Sequence, residues 1–211
     1  MYGIKLLRCT RANPIYQEFR DRHYVPNNGA VGQQIHYLIM VDGEWVGIIS
    51  GGSAAYAVRC RDEYFGINKE NRATALNGIV DNTVFRLEKN VPNLGTQILS
   101  MWRKKIQVDW ERTYGVKVAG FETFVIENDR RKGSMYKADN WTFVGETQGG
   151  TKFHQHGVEK SFERGNVAKK LVFCKWIKGG RLPLYYESSW SLNGQCRGQM
   201  TINEYMEANA D

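Results

Sequence analysis

No stretch of this 211-residue chain approaches the roughly 18 consecutive apolar residues of a membrane-spanning helix, so no membrane role is expected. Residues 1–10 hold neither the apolar core nor the cleavage site of a secretion signal. Cysteine is scarce: Cys9, Cys60, Cys174 and Cys196 stand far apart with no CxxC pair. That argues against a disulfide framework and for reduced thiols in a cytoplasmic protein. Internal repeats and low-complexity runs are missing as well, which excludes solenoids and disordered linkers. What is present is a core-forming composition, 42% apolar and 12% aromatic, on a length that suits one domain over 1–211. The formal net charge of +7 favours a polyanionic partner, nucleic acid most simply, although an ordinary basic surface gives the same number.

Periodicity and turn signals order the elements. Residues 3–9 read as a strand, and Asn13-Pro14 as a cap followed by proline at the first position of a helix that ends near His23-Tyr24. Residues 35–41 and 45–50 are strands joined by the hairpin signal Asp42-Gly43. A helix is expected over 70–79 with Asn68 as its cap, then a strand over 83–87. Leu94, Ile98, Trp102, Ile106 and Trp110 recur every fourth residue and predict a long helix over 93–114, stopped by Gly115. A strand over 117–126, a short helix over 134–140 and a strand over 141–146 follow. Residues 170–177 form a last strand within a basic C-terminal extension running from 150 to 211. The order predicts an α/β fold, a mixed β-sheet flanked by helices on both faces.

The strand at 83–87, the loop Val91-Pro92-Asn93-Leu94-Gly95-Thr96, the long helix and the next strand together resemble the donor-binding core of the GNAT acyltransferase fold. Residues 133–146 are similar to that fold's following motif, where a helix carrying a tyrosine runs into an aromatic residue that opens a strand. Within that superfamily the chain most resembles phage Mom-like DNA modification proteins. Arg22-His23-Tyr24, residues 47–54, Phe85-Arg86-Leu87 with 93–100, and residues 136–145 carry this likeness, which spans roughly 15–150. Glu122-Thr123-Phe124 and Glu146-Thr147-Gln148-Gly149 are also similar to a family found in phage-defence loci. The Mom-like resemblance implies addition of a carbamoylmethyl group to the exocyclic N6 amine of adenine in double-stranded phage DNA, protecting it from host restriction in the host-cell cytoplasm. Two other readings stay open: a non-enzymatic DNA-binding component of a phage-defence system, and a plain GNAT N-acetyltransferase. Oligomeric state stays open too, a homodimer included.

Candidate site residues follow from chemistry and resemblance together. Free N–H groups at the start of the long helix suit an anion, so Asn93, Leu94, Gly95 and Thr96 are expected to hold the donor, acetyl-CoA or a glycine-derived molecule. Pro92 supplies no N–H there. Tyr136 lies where GNAT enzymes place a tyrosine that protonates a leaving thiolate. Arg86 ends an apolar strand and needs an anion or a carboxylate; with Ser100 it matches an arginine and a serine that the Mom-like resemblance requires. That resemblance also implies iron near a His-Tyr pair and an acidic residue, which points to His23, Tyr24 and Asp129, with His36-Tyr37 as the alternative pair and Glu127 as another carboxylate. His154-x-His156 is a weak chelating pair. Arg130, Arg131, Lys132, Lys152, Lys169 and Lys170 are expected to track DNA phosphates. Reaching the adenine amine requires extrusion of the base into an aromatic pocket, for which Tyr56, Tyr64, Phe65 and Trp141 are the candidates.

Overall fold

The computed structural model describes residues 2–25, 32–128, 131–147 and 169–183, together with the backbone of 152–155 and 158–161. Strand β1 (Ile4–Cys9) leads to helix α1 (Pro14–Asp21), whose Asn13 cap accepts the Tyr16 N–H at 3.1 Å. β2 (Gln34–Val41) and β3 (Glu44–Ser53) form the expected hairpin, with Asp42 and Gly43 both at positive φ, the primed turn whose twist suits paired strands. Two short helices, α2 (Arg59–Phe65) and α3 (Arg72–Ala75), precede β4 (Ile79–Leu87). The long helix α4 (Leu94–Tyr114) ends on a left-handed Gly115. β5 (Gly120–Ile126), α5 (Ser134–Ala138), β6 (Thr142–Glu146), the hairpin β7 (Lys152–Gln155) and β8 (Val158–Ser161), and β9 (Lys170–Trp176) complete the chain.

Seven strands make one sheet in the order β1-β2-β3-β4-β5-β9-β6, with β7 and β8 paired apart from it. All neighbours are antiparallel except β4 and β5. The α4 stripe Ile98, Trp102, Ile106 and Trp110 packs on one face against Ile39, Ile49, Val80, Phe121 and Phe173. The opposite face carries Tyr16 and Phe19 of α1 over Leu38, Ile48 and Val84, and Phe65 of α2 beside Ile79, Val172 and Cys174. No helix among the described residues is long and apolar enough to cross a membrane.

Three expectations change. The strand at 170–177 is no part of a C-terminal extension: β9 lies between β5 and β6, and its alternate residues are buried on both faces. The helix expected over 70–79 shrinks to one turn of α3 and a 3-10 turn at Leu76–Gly78, because Ile79 and Val80 are drawn into the sheet against Gly120 and Phe121. Asn68 does not cap it; Asn68 and Asn71 instead accept each other's N–H in a closed turn. Helix α2, which the pattern did not announce, buries Arg61 and Asp62 where an apolar pair would have been the readable signal.

Candidate functional site

The parallel seam between β4 and β5 holds for three residue pairs, Ile79 with Gly120, Val80 with Phe121 and Asp81 with Glu122, and the strands then part. A bulge in β4 starts the split: Gly52 faces Asp81 but Ser50 faces Val84, so β4 carries one residue more than β3. Beyond it the Glu88 N–H bonds the Val46 carbonyl at 2.8 Å. By antiparallel alternation, Arg86 and Val84 also pair with β3, so Phe85 and Leu87 turn their backbone N–H and C=O groups toward the gap that β5 has left.

Tyr136 of α5 reaches into this gap from the α4 side. Its hydroxyl donates to Asn82 Oδ1 at 2.8 Å and lies 3.4 Å from the Thr123 hydroxyl, whose one proton is shared between it and the Asn82 carbonyl at 3.1 Å. Asn82 is fixed in turn by its amide, which donates to the Ser50 carbonyl at 3.0 Å. Burial among Trp141 and Phe173 raises the Tyr136 phenol above its ordinary range, so it keeps its proton. Tyr136 is thus held from α5, and its partners Asn82 and Thr123 come from two strands, β4 and β5.

Behind the split stands a buried set of charges that no local motif announces. Arg61 donates to Glu122, to Asp62 at 2.7 Å and to the Ala55 carbonyl; Glu122 also accepts the Ala55 N–H at 2.7 Å, and Asp62 is paired with Arg72. Burial outweighs Arg61 and lifts the Glu122 carboxyl to about 7. Asp81, beside it on β4, is raised well above the usual carboxylate range by burial and then by Glu122. Its Oδ1 is the one buried carboxylate oxygen without a hydrogen-bond partner among the described residues. An oxygen left so costs about 1–3 kcal/mol. Cross-strand convergence leaves no spacing signal, so neither Asp81 nor Asn82 was readable as a site residue.

On the face opposite α4, α1 packs over β2 and β3, and Arg22 just after it meets β4. Arg86 makes two bonds to Glu88, at 2.9 and 2.7 Å, and donates to the Arg22 carbonyl. The carboxylate that Arg86 needed is therefore its own neighbour. Ser100 lies on α4, across the sheet from Arg86, and the structure does not bring the two together. Tyr24 is 38% exposed. Its ring sits 4.6 Å from that of His23 and under the Arg131 guanidinium at 3.9 Å, and its hydroxyl meets the backbone of Ile126.

The residues do not fit the expected iron. Burial first, then Arg20, Arg86 and Arg131, depress the His23 imidazole to about 4 despite its bond to the Val25 backbone, and three guanidiniums repel a metal cation. No group of three metal-ligating side chains occurs among the described residues, and Glu127 is exposed. In the alternative pair, His36 bonds Ser50 at 2.9 Å on the α1 face while Tyr37 bonds Asp109 at 2.7 Å on the α4 face, so alternation in the strand separates them. Asp129, Arg130 and His156 lie outside the described residues, as do the side chains of Lys152 and His154. Lys169 is exposed within 3.8 Å of Glu146, Lys170 is half-buried at the start of β9, and Lys132 is exposed.

The loop expected to hold the donor is not an open anion cradle. Asn93 precedes α4 at φ 63° with no side-chain cap, and the Leu94 N–H is taken by Val91. Met135 covers Gly95: a Cβ there would meet its sulfur at 2.8 Å. The proposed base pocket does not assemble either. Phe65 and Trp141 are core residues, Tyr56 rests on Arg72, and Tyr64 reaches Thr142.

Residues 4–174 match a family model described as Druantia protein DruA. Among solved structures, an acetyltransferase of Bacillus subtilis in complex with CoA is similar at 8% identity and TM-score 0.51, over 84% of this chain and 99% of that one. A GNAT family acetyltransferase of Elizabethkingia anophelis with acetyl-CoA bound is similar at 9% identity and TM-score 0.50, over 82% and 98%. Such likeness shows the GNAT fold. No curated protein matches the chain.

Proposed function

The chain belongs to the Druantia DruA family, and from that premise we propose that it is a GNAT-type transferase of the defence system, moving an acyl group from a CoA thioester to the N6 amine of adenine in DNA. The observation that carries this reading is the Tyr136 hydroxyl, held by Asn82 and Thr123 where β4 and β5 part. Both structural relatives bind CoA or acetyl-CoA, which supports the donor class. The backbone groups of Phe85 and Leu87 would hold the donor arm. Attack by the amine forms an N–C bond and breaks the C–S bond. Tyr136 gives its proton to the departing sulfur, and Asp81, a carboxylate made more basic by burial, takes the proton from nitrogen. A basic chain and a paired adenine make DNA binding with base extrusion part of the same proposal.

The Mom-like likeness is the finer form of this reading, and it differs in its product. A carbamoylmethyl group bonded through its methylene does not arise by thioester acyl transfer, and the residues present do not fit iron. Mass spectrometry of nucleosides from cells expressing the chain separates the cases. An acyl increment on deoxyadenosine supports the proposal, a carbamoylmethyl increment restores the Mom-like form, and an unmodified pool beside folded protein rejects both. One observation favours a second reading, a DNA-binding component without catalysis: Met135 over Gly95 and the spent Leu94 N–H leave few donors for a pyrophosphate. That reading predicts DNA affinity, no acetyl-CoA binding by calorimetry and unchanged nucleosides.

A further inference from the structure

His23 and Tyr24, expected as metal ligands, and Arg131, expected on a DNA phosphate, are stacked into one object. The Tyr24 ring, anchored at its hydroxyl by the Ile126 backbone, carries His23 at 4.6 Å and 35° on one contact and the Arg131 guanidinium at 3.9 Å on another. Tyr24 and Arg131 lie beyond the C-terminal end of β5, and Tyr24 is near enough to Tyr136 to act on its charge. Arg131 has no carboxylate partner among the described residues, unlike Arg86 and Arg22, which share Glu88. A guanidinium with one face on an aromatic ring and no anion attached offers its other face to a flat ligand, and the combination of aromatic and guanidinium planes is one on which nucleobases stack. His23, kept neutral by its buried setting, serves this stack as a ring rather than as a charge.

We propose that Arg131, laid on Tyr24, is a stacking platform for an unpaired purine base at the mouth of the β4–β5 split, with the exposed Lys132 beside it taking a flanking phosphate. This rests on the reading that the acceptor is a nucleobase amine, and it fixes the state in which that base arrives: single-stranded, or extruded from a duplex. Tyr24 is then the floor of the acceptor site and Tyr136 the nearer wall toward the donor.

The test titrates the full chain into a short single-stranded oligodeoxynucleotide carrying one 2-aminopurine, against the same strand with an abasic site in its place. The expected result is a change in 2-aminopurine fluorescence, with the base-bearing strand bound about tenfold more tightly than the abasic one. Tyr24→Ala should remove that preference and Tyr24→Trp should keep it; Tyr24 is exposed enough for both variants to fold. Arg131→Lys should keep the salt dependence of binding and lose the base preference, since it retains the charge and discards the plane. Equal binding of the two strands, or a preference that survives Tyr24→Ala, overturns the platform. Stacking without any nucleoside modification leaves the platform standing and rejects the transferase reading. Modification that persists in Tyr24→Ala does the reverse.

Discussion

At the scale of single residues the arrangement makes opposite demands on stability and chemistry, and Asp81 shows it best. Its unpartnered, buried oxygen is a cost to the fold that protonation relieves. Asp81→Asn is expected to stabilise the free protein by about 1 kcal/mol near neutral pH while abolishing transfer. The sign with pH follows from the raised acid: its stabilising, protonated form is complete below its ordinary value, near 3.8, and is lost as pH rises. The advantage of Asp81→Asn should therefore shrink toward acid pH, and thermal melts of both proteins across pH would show it. An Asn variant no more stable at any pH contradicts the orphan-carboxylate account. Tyr136→Phe separates the terms differently: losing the bond to Asn82 should cost about 1 kcal/mol of stability and 10²–10⁴-fold in turnover. A variant of unchanged turnover would remove Tyr136 from the mechanism. Of these residues Tyr136 was legible in the chain because it sits in a local motif. Asp81, Asn82 and Thr123 meet only through strand pairing, and a single sequence carries no mark of which strands will lie together. The poor fit of His23 and Tyr24 to a metal was not legible, since two of the three guanidiniums around His23, those of Arg86 and Arg131, are distant in sequence.

At the scale of elements, legibility followed local chemistry. The α4 stripe, the Asn13-Pro14 start and the Asp42-Gly43 turn each declare themselves within a few residues, and each formed as expected. Helix α2 escaped because Arg61 and Asp62 face inward, and charged residues read as a solvated stretch until Glu122 supplies the partner. β9 escaped as a central strand because its basic surroundings in sequence hid the apolar run Leu171, Val172, Phe173 and Cys174. The α4 start is the element on which the proposed donor binding turns. Its positive end is available to a phosphate only where N–H groups are uncovered, and Met135 lies on Gly95. Met135→Ala is expected to tighten CoA binding several-fold by calorimetry, whereas Gly95→Val should abolish it by pressing a side chain into the same space. If Met135→Ala weakens CoA instead, the methionine is a contact for the donor and not a cover.

For the whole molecule the weak line is the seam. Strands β1 to β4 form one half of the sheet and β5, β9 and β6 the other, and three residue pairs join them. What spans the line is α4, packed on both halves, and on the opposite face the Arg61–Glu122 pair, which ties α2 to β5. Taking one partner from a fully buried pair strands the other, at about 3–5 kcal/mol. Arg61→Met and Glu122→Leu should each lose that much in urea denaturation. The double variant should lose clearly less than their sum, short of full recovery because Asp62 and the Ala55 N–H lose bonds too. Additive losses would mean that the pair does not act as a unit across the seam. The same carboxylate gives the fold a pH signature. With Glu122 lifted from 4.5 to about 7, its contribution is complete below 4.5 and falls away as pH rises toward 7. His23 and His36, depressed from 6.5 to about 4, act in the other sense and lose stability as pH falls through that window. Wild-type stability is thus set by opposed titrations, Glu122 and Asp81 against the two histidines, and removing Glu122 takes away its share of the first. Relative to the wild type, the double variant should lose the fall in stability between pH 4.5 and 7 that Glu122 contributes, and a profile parallel to the wild type would show that Glu122 does not titrate in the folded protein.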